Sequence, residues 1–188
     1  IKAIARAAGD RSKVVVHSSD RRIDAVGACV GMRGSRIQSI VRELNGEKID
    51  IINWSERPEI LISRALSPAK PVNLYLDEER PYAVAVFADE ELAQAIGTNG
   101  SNIKLSSNVT DYKIDAVSLS EYNKNQTVDL NLITDIASKY RKILIENKIL
   151  TTSDFLNTEL DNLIGLKGLG EKSVDTIKLT IEDYLLKN

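Results

Sequence analysis

The chain has 188 residues, a formal net charge of −2, 43% hydrophobic residues and 28% charged residues. This composition predicts a globular protein of one to three small domains, and no apolar run approaches the roughly 20 residues of a membrane-spanning helix. The single cysteine, Cys29, excludes an internal disulfide, which favours a cytoplasmic location, and we expect it in the core. One cysteine and one histidine cannot build an ordinary zinc site, so we expect no metal and no other cofactor. Neither a catalytic triad nor a Walker sequence is present, which argues against an enzyme.

The two ends of the chain differ in charge. Residues 1–60 carry 11 Lys and Arg against 8 Asp and Glu, a net charge of +3. Residues 151–188 carry 4 Lys and Arg against 7 Asp and Glu, a net charge of −3. This asymmetry predicts different partners for the two ends.

The first sixty residues predict a small sheet with two helices. Strands are expected over about residues 2–6, 13–17 and 49–54. The two helices flank the sequence GMRG, which begins at Gly31. We also expect a helix upstream of Ile1, because the second, similar segment of the chain begins with one.

Residues 58–119 predict the same unit preceded by one more helix. Apolar periodicity and turn residues mark the elements. They are a helix over 58–66, strands over 72–76 and 82–87, a helix that ends at Ile96, the sequence GTNG, a helix over 101–109 and a strand over 113–119.

The two segments are an internal repeat. Gly31 matches Gly97, Gly34 matches Gly100 and Ile37 matches Ile103, each 66 positions apart, and both copies end in a strand with the sequence KID. The order of elements resembles the type II KH domain. We therefore predict an α+β fold with two tandem KH domains, each a three-stranded sheet with helices on one face.

A GxxG loop between two helices predicts an RNA-backbone site. Backbone N–H groups and a helix N-terminus favour a phosphate, and glycine lets the nucleic acid approach closely. KH domains hold about four nucleotides in this way, with the bases in an adjacent apolar groove. The candidate residues in the first copy are Val30, Gly31, Met32, Arg33, Gly34, Ser35, Arg36, Ile37 and Ile52. Those in the second copy are Ile96, Gly97, Thr98, Asn99, Gly100, Ser101, Asn102, Ile103 and Lys104.

The two loops differ in charge. The first contains Arg33 and is followed by Arg36, whereas the second contains no cation and has Lys104 one turn later. We expect the second loop to bind phosphate more weakly than the first.

Three segments closely resemble the KH domains of the NusA family of bacterial transcription factors. They are Gly27 to Glu56 (GACVGMRGSRIQSIVRELNGEKIDIINWSE), Ala65 to Ala69 (ALSPA) and Leu92 to Ser107 (LAQAIGTNGSNIKLSS). The resemblance implies that the chain contacts single-stranded nascent RNA, RNA polymerase and other transcription factors in elongation, termination and antitermination. We expect a monomer that does not bind membranes.

The remaining residues predict a small all-α domain. A polar linker is expected over 121–127, and a helix over 128–149. The sequence LKGLG, which begins at Leu166, resembles a helix-hairpin-helix turn, and the tail resembles the C-terminal domain of the RNA polymerase α subunit and the acidic repeats of some NusA proteins. The predicted domains are therefore 1–56, 57–120 and 128–188. The alternatives are a KH module of ribosome assembly or RNA processing, or a helix-hairpin-helix module that binds DNA.

Overall fold

The structure is a computed structural model that describes residues 1–187. These residues form two compact units, Ile1–Leu119 and a second unit that begins at Ser120. Each unit contains its own apolar core. Among the described residues, no helix is long and apolar enough to cross a membrane, and no group of His, Cys, Asp or Glu side chains is arranged to hold a metal ion.

The first KH domain has one three-stranded sheet and two helices. Its elements are β1 (Ala3–Ala7), β2 (Arg11–Val16), α1 (Ala25–Val30), α2 (Ser35–Glu43) and β3 (Lys48–Asn53). Strand β2 lies in the centre, antiparallel to β1 and parallel to β3. A parallel pair needs a long crossover connection, which α1 and α2 provide.

The second KH domain repeats this topology and adds the leading helix. Its elements are α3 (Pro58–Ala65), β4 (Asn73–Leu76), β5 (Tyr82–Phe87), α4 (Leu92–Ile96), α5 (Ser101–Thr110) and β6 (Lys113–Ser118). Strand β5 is antiparallel to β4 and parallel to β6. The α+β fold and the repeated KH topology predicted from the sequence are confirmed.

The two KH domains share an apolar interface. Ala5 and Ile52, on the face of the first sheet that points away from α1 and α2, cluster with Leu105 and Val109 of α5 and with Ala65 of α3. Trp54 and Leu61 pack at the edge of this cluster. Apolar contact over a whole sheet face fixes how the two domains are oriented.

The opposite face of the first sheet, which carries α1 and α2, remains partly exposed. Ile4 is 58% and Ile40 is 47% exposed, whereas the matching face of the second sheet is covered by α3 through Ile62 and Leu66, both fully buried. Cys29 lines this exposed face, so the expectation that it belongs to the core is wrong. Its counterpart in the repeat, Ala95, is fully buried because α3 covers it.

The second unit is helical, as predicted. Its elements are α6 (Leu119–Asn125), a 3₁₀ turn (Leu130–Leu132), α7 (Ser138–Glu146), α8 (Thr152–Asn157), α9 (Leu160–Ile164) and α10 (Glu171–Lys187). Helix α6 includes most of the predicted linker, and the helix predicted over 128–149 is confirmed only over α7. Thr151 and Asp154 form a capping box at α8, and Phe155, Ile177 and Ile181 lie in the core.

Candidate nucleic-acid interface

The two GxxG loops have almost the same backbone. Gly31 and Gly97 have φ of 74° with ψ of 172° and 171°, a conformation that essentially only glycine adopts. Arg33 and Asn99 follow with φ of 51° and 52°, in the left-handed region. Since the side chains at these positions differ, the shared conformation comes from the glycines and the flanking helices.

The first glycine of each loop lies against the helix that follows. A Cβ atom at Gly97 would lie 2.8 Å from Cβ and 2.9 Å from the backbone nitrogen of Asn102. At Gly31 it would lie 2.9 Å from Cγ and 3.1 Å from the backbone nitrogen of Arg36. The loops therefore bend tightly over the N-termini of α2 and α5, where unpaired N–H groups and the helix dipole attract an anion.

The first loop presents a cation to solvent, whereas the second presents uncharged polar groups. Met32 is 87% exposed and Arg33 is also exposed. Nη1 of Arg36 donates to the carbonyl oxygen of Ala28 at 2.6 Å, so this side chain braces the loop from outside. In the second loop, Thr98 and Asn99 are exposed. The charge difference seen in the sequence is therefore present at the surface.

Asn102 is not a surface residue of the second loop. It is 4% exposed, and its Nδ2 donates to the carbonyl oxygens of Leu66 at 3.1 Å and Ala95 at 2.9 Å. These two bonds fix the amide orientation and tie the loop to α3. Among residues 1–187, its Oδ1 finds no hydrogen-bond partner although it is buried. Asn102 was predicted to contact RNA, and its burial places it under the loop instead.

The predicted apolar groove residues separate in the structure. Val30 and Ile96 lie at the ends of α1 and α4, beside the loops, and Ile37 lines the exposed helix face of the first sheet. Ile103 packs against the core of the second domain. Ile52 is 5% exposed and lies on the other face of the sheet, so its assignment to the groove of the first loop is wrong. Side chains alternate along a strand, and β3 directs Ile49 and Ile51 to the helix side instead.

Two cations that the sequence analysis missed lie beside the second loop. Arg11 and Lys48 of the first domain line a groove of about 310 Å³ together with Gly97, Thr98 and Ser101 of the second domain. No local motif marks Arg11 or Lys48, because they reach this groove only through the packing of one domain on the other.

A buried cation joins the two domains near this groove. Nζ of Lys13 donates to the carbonyl oxygens of Ala65 at 2.7 Å and Ser67 at 3.2 Å, and lies 3.2 Å from Oδ2 of Asp50. Burial lowers the pKa of Lys13, while the carboxylate of Asp50 opposes that shift. Lys13 thereby supplies positive charge at the C-terminal end of α3, where helix carbonyls lack partners.

A second ionic contact, between a buried carboxylate and a half-exposed arginine, holds the turn between β1 and β2. The carboxylate of Glu47, fully buried, accepts hydrogen bonds from Nε of Arg6 at 2.9 Å, Oγ of Ser12 at 2.6 Å and the backbone N–H of Gly9 at 2.9 Å. These donors stabilise the ionised form and lower the pKa of Glu47 to about 2, with Arg6 as the largest cause. The contact fixes the turn that carries Asp10 and Arg11.

Residues 1–54 match the family described as NusA-like first KH domain, and residues 58–124 match the NusA-like second KH domain. The chain is also similar to two curated proteins named "Transcription termination/antitermination protein NusA". The one from Halalkalibacterium halodurans is 43% identical over 148 residues, which are 79% of this chain and 37% of that protein. The one from Bacillus subtilis is 46% identical over 115 residues, 61% of this chain and 31% of that protein. A solved structure titled "Crystal structure of APE1850" covers 58% of this chain and 78% of its own length with a TM-score of 0.43 and 20% identity, a likeness too low to carry an argument.

Proposed function

Since this chain belongs, through both of its KH domains, to the NusA family, we propose that it holds single-stranded RNA during transcription. RNA binds along the two GxxG loops, with phosphates at the N-termini of α2 and α5. The observation that carries this proposal is the repeated loop backbone, in which the glycines of both loops share φ and ψ to within a few degrees. A site that binds the sugar-phosphate backbone of RNA requires a particular protein main-chain conformation, and the two loops share one although their side chains differ.

The relatives indicate the transcriptional setting, since both are named for termination and antitermination. The chain spans about a third of the length of the two relatives above, 37% and 31%. We infer that its RNA is nascent RNA in the cytoplasm, that its protein partners are RNA polymerase and other transcription factors, and that it acts by binding without catalysis. An RNA crosslink mapped to either loop in an elongation complex would support this setting, whereas crosslinks only to assembling ribosomal RNA would favour a ribosome-assembly module.

The RNA site is tested by placing negative charge in each loop. Two double variants, Met32→Asp with Arg33→Asp and Thr98→Asp with Asn99→Asp, would repel a phosphate. Asp tolerates the left-handed conformation at positions 33 and 99, so the fold is retained. We expect each to weaken binding of single-stranded RNA by at least about tenfold, or about 1.4 kcal/mol, with unchanged thermal unfolding.

The matched control adds the same charge elsewhere. Asn131→Asp with Leu132→Asp changes the net charge by the same amount as the second-loop variant, at an exposed 3₁₀ turn of the helical unit. This variant should bind RNA like the original chain. Full RNA affinity in both loop variants would refute the assignment of the site.

A further inference from the structure

The second GxxG loop shares its groove with the first KH domain. Gly97, Thr98 and Ser101 form one wall, and Arg11 and Lys48 lie on the other side. Arg11 and Pro68 also line a neighbouring groove of about 570 Å³ that runs along β3. Arg11 therefore lies where the two grooves meet, beside the second loop.

The charge around this groove is positive on balance. Nη1 of Arg11 lies 2.9 Å from Oδ2 of Asp50, and the buried Lys13 binds the same oxygen, so two cations share one carboxylate. Lys48 is exposed, and the opposing charge on the groove wall is Asp10. The charged residues that line the groove are Arg11, Lys48 and Asp10, which leave a net charge of +1.

A buried amide supports the groove from below. Asn102 lines it, and the buried Oδ1 of this residue has no hydrogen-bond partner within the described part of the chain. Both N–H groups of the amide are used by carbonyl oxygens, so a flipped side chain would place Oδ1 against them. Because Oδ1 is inaccessible from the groove, Asn102 positions the start of α5 and does not contact a ligand.

We propose that this groove is a composite site for one phosphate of the RNA backbone, in which the first KH domain supplies the cations that the second loop lacks. The site rests on the RNA-binding function proposed above and adds Lys48 and Arg11 to it. Backbone N–H groups at the start of α5 and the side chains of Lys48 and Arg11 bind the phosphate. The phosphate site of the second domain is thus complete only in the docked pair.

The first test uses the internal repeat as its control. Lys48 and Lys113 occupy the same position in the two copies, at the start of the third strand, and both are exposed. Lys113 lies near the ring of Tyr82 and does not line the groove. Lys48→Gln should lower the slope of log affinity against log salt for single-stranded RNA by roughly 0.7, the value for one lost phosphate contact, whereas Lys113→Gln should leave it unchanged. Equal slopes for the two variants would overturn the proposal.

The second test assigns the lost contact to one loop. Lys48→Gln is combined with the aspartate pair in the second loop, Thr98→Asp with Asn99→Asp. It is separately combined with the pair in the first loop, Met32→Asp with Arg33→Asp. If Lys48 binds the same phosphate as the second loop, its loss should have little further effect in the second-loop background and its full effect in the first-loop background. The reverse pattern would overturn the composite site. Retained RNA affinity in both aspartate pairs would instead overturn the proposed function itself, so the two failures are distinguishable.

Discussion

Nζ of Lys13, in the first KH domain, donates a 2.7 Å hydrogen bond to the carbonyl oxygen of Ala65, at the end of helix α3 in the second. Both residues are fully buried, and the neighbouring Ser106 Oγ donates to the same carbonyl oxygen at 2.7 Å. A directional bond inside an apolar interface fixes one relative orientation of the two domains, and with it the spacing between the two GxxG loops.

Replacing Lys13 by Met should therefore destabilise the KH pair. The carbonyl oxygen of Ser67 would lose its bond and Asp50 would retain only Arg11, so we expect the free energy of unfolding to fall by roughly 2–4 kcal/mol. Urea unfolding of the whole chain measures this loss. Lys2→Met is the control, because Lys2 is exposed near the ring of Trp54. Similar stability in the two variants would show that the Lys13 bond contributes little.

Glu47 makes the stability of the first domain dependent on acid pH. Its pKa of about 2 in the folded chain lies below the ordinary value of 4.5. A carboxyl whose folded pKa is depressed contributes stability that is present above its unfolded pKa and is lost as pH falls through the folded one. The chain should therefore lose stability as pH falls from about 4.5 to about 2. Glu47→Gln should be less stable at neutral pH and should lose less on acidification over that window.

Urea midpoints at several pH values measure this dependence, with Glu43→Gln as the control. Glu43 is exposed on α2, so its substitution should leave the pH profile of the original chain in place. If Glu47→Gln and the original chain showed parallel profiles, the buried contact would not be the cause of the acid sensitivity.

The sequence predicted the KH fold because the features that define it are local. Each GxxG sequence, its flanking helices and the alternation in β5 depend on neighbouring residues, and the repeat gave each expectation a second example. The sequence-based predictions were wrong for Ile52 and Cys29, because tertiary packing decides which face of a sheet or helix another element covers. A strand period of two shows that alternate residues share a face, but not which face meets the second domain.

Arg11, Lys48 and Asn102 show the same limit at the candidate site. Arg11 and Lys48 are ordinary strand-end cations in the sequence, and they become neighbours of the second loop only when α5 packs on the first sheet. Asn102 occupies the position of Arg36 in the repeat, and both were predicted to contact RNA. Asn102 is instead buried, and its amide donates to the carbonyl oxygen of Leu66 at the end of α3.

The two glycines of the second loop should differ in their tolerance of a side chain. Gly100, with φ of 73° and ψ of 17°, has the left-handed helical conformation, which costs an alanine about 1 kcal/mol. Gly97, with φ of 74° and ψ of 171°, has a conformation that essentially only glycine adopts. At Gly97 the added Cβ would also meet the backbone of Asn102 at 2.9 Å, whereas at Gly100 the nearest atom is 3.7 Å away, on Lys104. Gly97→Ala should therefore destabilise the chain roughly twice as much or more. Thermal unfolding compares the two, and equal losses would contradict the tight bend.

Arg33 should contribute more to salt-dependent RNA binding than Arg36 or Asn99. The side chain of Arg33 is exposed at the tip of the first loop, while Arg36 is bonded to the carbonyl oxygen of Ala28 and Asn99 carries no charge. Arg33→Ala should lower the salt slope by roughly 0.7, and Asn99→Ala should leave it nearly unchanged. Titrations with single-stranded RNA at several salt concentrations measure both. A larger change at Asn99 than at Arg33 would reverse this ranking.

The helical unit carries a hairpin that resembles DNA-binding turns but has the wrong charge for DNA. Helices α9 and α10 flank the segment 165–170, and Gly168 has φ of 100°. Glu171 occupies the first turn of α10, where a phosphate would have to sit, and Asp175 follows one turn later. A carboxylate there already complements the helix dipole and repels an anion.

We therefore predict that this unit binds protein and does not bind duplex DNA. Residues 151–188 have a net charge of −3, and affinity for DNA depends largely on Lys and Arg that neutralise phosphates. The test is a gel shift of residues 120–188, which contain their own core, with duplex DNA, together with RNA titrations of the chain with and without residues 128–188. We expect no gel shift of the DNA at near-physiological salt.

The RNA titrations test whether the acidic unit competes with RNA for the basic KH surface. In that case deletion of the unit should strengthen RNA binding, and unchanged affinity would exclude that competition. Tight duplex binding by the unit would contradict the charge argument and support a DNA-binding hairpin.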